Sequence, residues 1–218
     1  MQQQWQEVDE FLEHSLLVPD ENLAQTLALN AKQGLPAHDV SPLQGQFLML
    51  MVQISDARRI LEIGTLGGFS TQYMARALPT DGKLVTLEKE ATNAAIAHEN
   101  LQRAGLLDKT TIIVGAAAQT LPTLQTQPPF DLIFIDADKQ NSLLYLEWAI
   151  ELSHTGSVII MDNVIRGGAI VEAQRDVSAN GIHQALSAVK GFETLTGTAL
   201  QTVGSKGWDG FALFRVQK

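Results

Sequence analysis

Apolar positions along this chain change their period near residue 58. Before that point they recur at helical spacing. Val8, Phe11, Leu12 and Leu16 share one face of a first helix, which Pro19-Asp20 stops. A second helix over about residues 21–33 carries Leu23, Leu27 and Ala31 on one face, with Gly34 just past its end. Ser41-Pro42 supplies the N-cap and first-turn proline of a third, whose apolar residues are Phe47, Leu48, Met51 and Val52. The pattern is the same whether these helices simply cover a sheet or also wall a pocket.

Beyond residue 58, short apolar runs alternate with helical segments. The runs at 59–63, 83–87, 111–114, 130–135 and 157–161 read as parallel strands covered on both faces. Between them lie a helix following the Gly64–Gly68 turn to about 77, one over 90–104 closed by Gly105, a short one to 124, and one over 140–152 ending near Gly156. A helix near 180–190 and strands at 195–203 and 211–216 complete the chain. The expectation is one doubly wound α/β domain, with residues 1–55 a helical cap and 56–218 the core.

Composition narrows the chemistry. The sequence has 218 residues, 45% hydrophobic and 18% charged, as in ordinary globular proteins. With no cysteine there is neither a disulfide framework nor a thiolate metal site. No apolar run reaches the length of a membrane span, and the N-terminus lacks the basic and apolar regions of a signal peptide, so a cytoplasmic protein is expected. Fifteen basic against 24 acidic residues give a net charge of −9, which works against a sequence-independent grip on nucleic acid.

In a doubly wound fold, ligands bind beyond the carboxyl ends of the strands. The first strand ends in Glu62-Ile63-Gly64, the second in Glu88, the fourth in Asp136-Ala137-Asp138-Lys139 and the fifth in Asp162-Asn163. Acidic or amide groups thus gather on one sheet edge, where burial is costly unless they meet a ligand, a metal or a donor. The turn Gly64-Thr65-Leu66-Gly67-Gly68-Phe69-Ser70 is not the dinucleotide fingerprint, because Leu66 and Phe69 stand where glycines are needed. It suits a cofactor without a phosphate. Glu88 is placed to accept from ribose hydroxyls, or else is a surface glutamate at a turn. Asp136, Asp162 and Asn163 are hard oxygen donors of the kind Mg²⁺ prefers, or else helix-capping groups. The five histidines, His14, His38, His98, His154 and His183, are scattered and suggest no zinc site.

These segments together resemble the cation-dependent O-methyltransferases, which include the caffeoyl-CoA and catechol enzymes. The likeness runs through Ser41-Pro42-Leu43-Gln44-Gly45-Gln46-Phe47, Leu61 to Ser70, Phe134-Ile135-Asp136-Ala137-Asp138-Lys139-Gln140-Asn141, Met161-Asp162-Asn163-Val164 and Asp209-Gly210. It implies a Rossmann-like methyltransferase sheet, mostly parallel with an antiparallel final strand. It implies S-adenosylmethionine bound around Val40, Glu62, Gly64, Ser70, Glu88, Ala116 and Asp136, and Mg²⁺ (or Ca²⁺ or Mn²⁺) on Asp136, Asp162 and Asn163. Lys139 matches the general base of the catechol-type members, or else pairs with Asp138 or another neighbouring acid. Residues 166–180 lack the features that accompany recognition of a coenzyme A ester, so a small aromatic diol is the expected acceptor. Trp208 and Ile165 either wall an aromatic ring or pack inside. A homodimer is expected, as relatives commonly dimerise.

The runner-up is methylation of a hydroxylated uridine in transfer RNA, with Arg166, Arg175 and Lys206 along one rim. An NAD-dependent oxidoreductase is disfavoured by the misplaced glycines, and a non-catalytic adenosine binder by the acidic trio beside Lys139.

Overall fold

The computed structural model describes the whole chain apart from the side chain of Arg175, so the expected rim position of that residue lies outside the described residues. Three helices lead, α1 (Gln2–Leu16), α2 (Glu21–Lys32) and α3 (Pro42–Ile54). Strands and helices then alternate: β1 (Arg59–Ile63), α4 (Phe69–Ala77), β2 (Lys83–Glu88), α5 (Ala91–Arg103), β3 (Thr110–Val114), α6 (Ala117–Thr120), β4 (Phe130–Ile135), α7 (Ser142–Glu151) and β5 (Ser153–Asp162). A 3₁₀ segment (Arg166–Arg175), α8 (Val177–Ala188) and the hairpin β6 (Leu195–Gly204) and β7 (Gly207–Val216) follow. The sheet order is β3-β2-β1-β4-β5-β7-β6. Strands β1 to β5 are mutually parallel, and β7 inserts antiparallel between β5 and β6. No helix is long and apolar enough to cross a membrane among the described residues.

Alternate residues of each strand serve opposite faces, the period that the pleat imposes. Leu61, Ile63, Ile133 and Ile135 face Tyr145, Leu146 and Ala149 of α7 and Ile182 and Ala185 of α8. Ile60, Leu84, Leu132 and Phe134 face Leu48 and Val52 of α3 and Phe69 and Met74 of α4. Burial on both faces explains why the strands read as unbroken apolar runs.

The cap differs from its sequence pattern at α1. No residue of that helix is buried, and Val8, Phe11 and Leu16 are exposed, because α1 lies against β6 and α3 outside both cores. Asp20 does more than stop α1: its carboxylate caps α2 by accepting from the Leu23 amide and pairs with Arg76 of α4. A buried polar chain then locks α2 down. Asn30 donates to Asp39 and accepts from Asn100, which also donates to the Gly67 carbonyl. A Cβ at Gly67 would stand 2.0 Å from the Asn30 side-chain oxygen.

Strand β5 starts earlier than its apolar run, at Ser153. Ser157 donates to the Phe130 carbonyl and accepts from the His154 amide, carrying an irregular register past Gly156. Beside it, Asp131 accepts from His154 and from the amides of Arg58 and Arg59, tying β4 to β1 and β5 at the edge away from the acidic cluster. The hydrogen bond to Asp131 raises the His154 pKa above its ordinary 6.5. Burial pushes Asp131 up, but the bonds from His154, Arg58 and Arg59 outweigh it and hold its pKa down. The His154 contribution is therefore complete below its unfolded value and lost as pH rises through the raised one. The Asp131 contribution is complete above its unfolded value and lost as pH falls through the lowered one. His154→Ala should cost about 0.5–1 kcal/mol at pH 5.5, the scale of a solvent-exposed pair, and less by pH 9. Denaturant titrations at the two pH values check this; a constant difference would show that charge pairing is not the source.

Candidate active site

The carboxyl ends of β1 to β5 open into one cavity of about 1180 Å³. Its wall includes Val40, Gly64, Ser70, Glu88, Ala116, Asp136, Lys139, Asp162 and Asn163, so nine of the ten positions expected from sequence meet there. Helix α1 contributes Asp9, the segment before α3 contributes Ala37 to Ser41, and α3 contributes Leu43, Gln44 and Phe47. Helices α1 and α3 thus wall the pocket, and α3 also covers the sheet.

Glu62 is the exception. It lies behind the wall, fully buried, and accepts from Ser70 Oγ at 2.5 Å, Thr71 Oγ1 at 2.5 Å and Thr86 Oγ1 at 2.7 Å. Burial pushes its pKa up to about 7 despite those three donors. Its connection to the cavity runs through Ser70, whose position it sets.

The glycine turn is shaped by close backbone contact. Gly64 has φ +103°, and a Cβ there would lie 2.1 Å from the Asp136 carbonyl oxygen. Neither feature tolerates a side chain. Glu88 holds the same turn from the other side, with one carboxylate oxygen accepting from the Leu66 amide at 2.8 Å and the Thr65 amide at 3.3 Å. Its second oxygen accepts from the Glu90 amide at 2.9 Å. These bonds settle Leu66 at φ +50°, a conformation that costs a residue with a Cβ. The turn-holding role of Glu88 was not legible in its spacing, because it depends on which amides the fold aims at the carboxylate.

Across β4 and β5 the acidic groups converge. Lys139 donates to Asp136 Oδ1 at 2.7 Å and to the Asp162 carbonyl at 3.2 Å. It pairs with Asp136 rather than Asp138. Asp138, also on the cavity wall, instead accepts from Tyr145 Oη at 2.5 Å and from Asn141. Asp162 is buried, and burial followed by the charge of Asp136 pushes its pKa up to about 7. Its Oδ1 accepts from the Asn163 amide at 2.8 Å, and Gln44 also supports it. Two carboxylates held together with one lysine, next to an amide oxygen, form a hard donor set short of positive charge, which fits a divalent cation. No trio of His, Cys, Asp or Glu able to hold a metal occurs among the described residues, so such a site would use the Asn163 amide as its third group.

Of the other sequence candidates, Arg166, Lys206 and exposed His38 lie on the cavity wall. Ile165 packs against the core and Trp208 covers Gly168, so neither lines the cavity. Asp209 was legible only as part of a motif. In the fold, its Oδ1 accepts from the amides of Ile165, Arg166 and Gly210, each at 3.0 Å.

Residues 13–191 match the model of a family described as O-methyltransferase. The chain is 49% identical over 211 residues to a catechol O-methyltransferase of Mycobacterium tuberculosis, covering 97% of this chain and 96% of that protein. An O-methyltransferase of Bacillus cereus, solved in complex with SAH, is 46% identical with a TM-score of 0.98, covering 100% of both chains. The O-methyltransferase involved in tomaymycin synthesis in Streptomyces achromogenes, solved in complex with SAM, is 40% identical with a TM-score of 0.96, covering 100% of this chain and 99% of that one. The seven-stranded sheet with its antiparallel last strand is thus shared with relatives that match from end to end, and the chain belongs to the S-adenosylmethionine-dependent O-methyltransferase family.

Proposed function

We propose that this protein transfers the methyl group of S-adenosylmethionine to one hydroxyl of a small catechol-like diol, with a divalent cation, Mg²⁺ by donor chemistry, at Asp136, Asp162 and Asn163. The observation that carries the reading is the meeting of Asp136, Lys139, Asp162 and Asn163 in the same cavity as the glycine turn and Glu88. The name of the mycobacterial relative supports a catechol acceptor.

The methyl donor would lie along Val40, Gly64, Ser70 and Glu88, with its adenine toward Ala116. Glu88 accepts from the Thr65, Leu66 and Glu90 amides and, at 3.4 Å, from the Asn93 side chain, so a ribose hydroxyl would take over the long Asn93 contact while the turn stays held. When bound, the cation supplies Lewis acidity and chelation to a vicinal diol. Lys139, held between the Asp136 carboxylate and the Asp162 carbonyl, is the group placed to take the hydroxyl proton. The oxygen then forms a bond to the methyl carbon as the carbon–sulfur bond breaks, its electron pair returning to sulfur. The walls orient both partners in line, which is where proximity contributes most. We also infer that two copies pair through the exposed apolar residues of α1 and the edge strand β6, including Phe11, Leu200 and Val203.

Asp162→Ala should abolish turnover of catechol with the fold intact by circular dichroism. Excess EDTA should do the same to the native protein, reversibly on adding Mg²⁺. Full activity in EDTA would remove the cation from the reading, and methylation of bulk transfer RNA but not catechol would replace the acceptor.

Glu88→Ala should weaken S-adenosylmethionine binding by roughly 1.5–3 kcal/mol, the scale of hydrogen bonds to a charged acceptor. Calorimetry showing unchanged affinity would separate Glu88 from the ribose.

Lys139→Met should lower kcat on catechol by about 10²–10⁴ with donor affinity retained. The loss should shrink on a nitrocatechol, whose hydroxyl is already acidic. Equal losses on both acceptors would assign the proton to another group.

A further inference from the structure

The cavity carries four cationic side chains, Lys89, Lys139, Arg166 and Lys206. Three have partners. Lys89 pairs with Glu90 at 3.7 Å, Lys139 with Asp136 at 2.7 Å, and Lys206 donates to the Ala37 carbonyl at 3.1 Å beside Asp39. Arg166 is exposed and makes no ion pair among the described residues. Three acids of the cavity wall, Asp9, Asp39 and Asp209, accept from other donors, none of them the Arg166 guanidinium. Asp9 accepts from the Ser205 amide at 2.6 Å, Asp39 from Asn30 at 3.0 Å, and Asp209 from three amides at 3.0 Å. Arg166 thus lies on the cavity wall with its guanidinium in no ion pair among the described residues.

The backbone that presents it is unusual. Asn163 and Arg166 both have positive φ, 56° and 57°. Asparagine tolerates this conformation, but arginine pays for it in steric contact with its own carbonyl. Glycine follows at both 167 and 168, at φ 60° and 89°, so the segment uses glycine freely for left-handed backbone yet places arginine at the first of these three consecutive positions. Asp209 holds that strained turn, and the Val164 amide bonds the Gly210 carbonyl at 2.9 Å with Val164 fully buried. A residue kept in strain by dedicated hydrogen bonds, where glycine would relax it, points to a task for its side chain.

We propose that Arg166 selects acceptor diols carrying an anionic group, a carboxylate on the catechol ring or its side chain, and that the Asp209-braced turn positions it for this. The inference rests on the catechol reading above. Asn163 and Arg166 are three residues apart, so their Cα atoms lie within about 10 Å even for an extended chain, and closer across this turn. A diol held at Asn163, Asp136 and Asp162 would thus extend its far edge toward the guanidinium. The planar fork matches a carboxylate in two parallel hydrogen bonds.

The test compares catechol, 3,4-dihydroxybenzoate and the cationic dopamine. Two readouts are used: kcat/KM with S-adenosylmethionine and Mg²⁺, and calorimetric binding to the protein loaded with S-adenosylhomocysteine and Mg²⁺. The native protein should prefer dihydroxybenzoate to catechol by about five- to tenfold, chiefly in KM, with dopamine the poorest. Arg166→Gly removes the guanidinium and relieves the strain, so it should fold at least as stably and bring the dihydroxybenzoate-to-catechol ratio to near one. Asp209→Asn, which keeps an acceptor oxygen, should retain more of the preference than Asp209→Ala. A native ratio near one, or a ratio that Arg166→Gly leaves in place, overturns the proposal while the methyl-transfer reading stands. Arg166-dependent preference in binding, without methylation of any catechol, overturns the methyl-transfer reading while the anion selection stands.

Discussion

At residue 64 the exit of β1 passes so close to the exit of β4 that a single added carbon would lie 2.1 Å from the Asp136 carbonyl. The Gly64 amide bonds the Leu87 carbonyl and the Asp136 amide bonds the Ile63 carbonyl, so the sheet's ladder continues past the strand ends proper. This contact brings the glycine turn on one strand beside Asp136 and Lys139 on the next. A displacement reaction needs donor and acceptor held within a narrow range of distance and angle, and the two parts of the wall that would hold them in the proposed reaction are joined here by backbone packing. Glu88 and the Asn100 amide grip the same turn from two further directions.

Two buried carboxylates, Glu62 and Asp162, both have pKa values pushed up to about 7, yet they pose different problems. Glu62 is answered within the protein by three hydroxyl donors and does not reach the cavity wall. Its role is to fix the start of α4 against β1 and β2. Asp162 is on the wall, takes a hydrogen bond from its own neighbour's amide and faces the repulsion of Asp136. Lys139 offsets only part of that repulsion. The contrast separates an acid satisfied within the protein from one on the cavity wall that the proposed cation would use, although both belong to strands of similar sequence character.

The helical cap converts an open sheet edge into a cavity. Its attachment is polar: Asp20 to Arg76, and Asn30 to Asn100 and Asp39. Because Asn30 and Asn100 are buried, each lost partner would leave an unsatisfied group, so the network specifies one placement of the cap over the glycine turn. That placement brings Val40, Gln44 and Asp9 to the cavity.

The strand-and-helix alternation, the buried parallel strands and the acidic strand ends were written in local pattern, because period and composition act over a few residues and the fold rule then assigns every strand end to one edge. The motifs around Gly64, Asp136 and Asp162 added the family resemblance, and the cavity contains those residues. What only the tertiary structure decided were relations between distant segments. Spacing did not show that Glu62 turns behind the wall, that Lys139 chooses Asp136 over Asp138, or that Asp209 braces a turn more than forty residues earlier in the chain. Nor did it show that the apolar stripe of α1 stays exposed. Each depends on the direction of a side chain and on which backbone amides arrive beside it, quantities that exist only once the layers have packed.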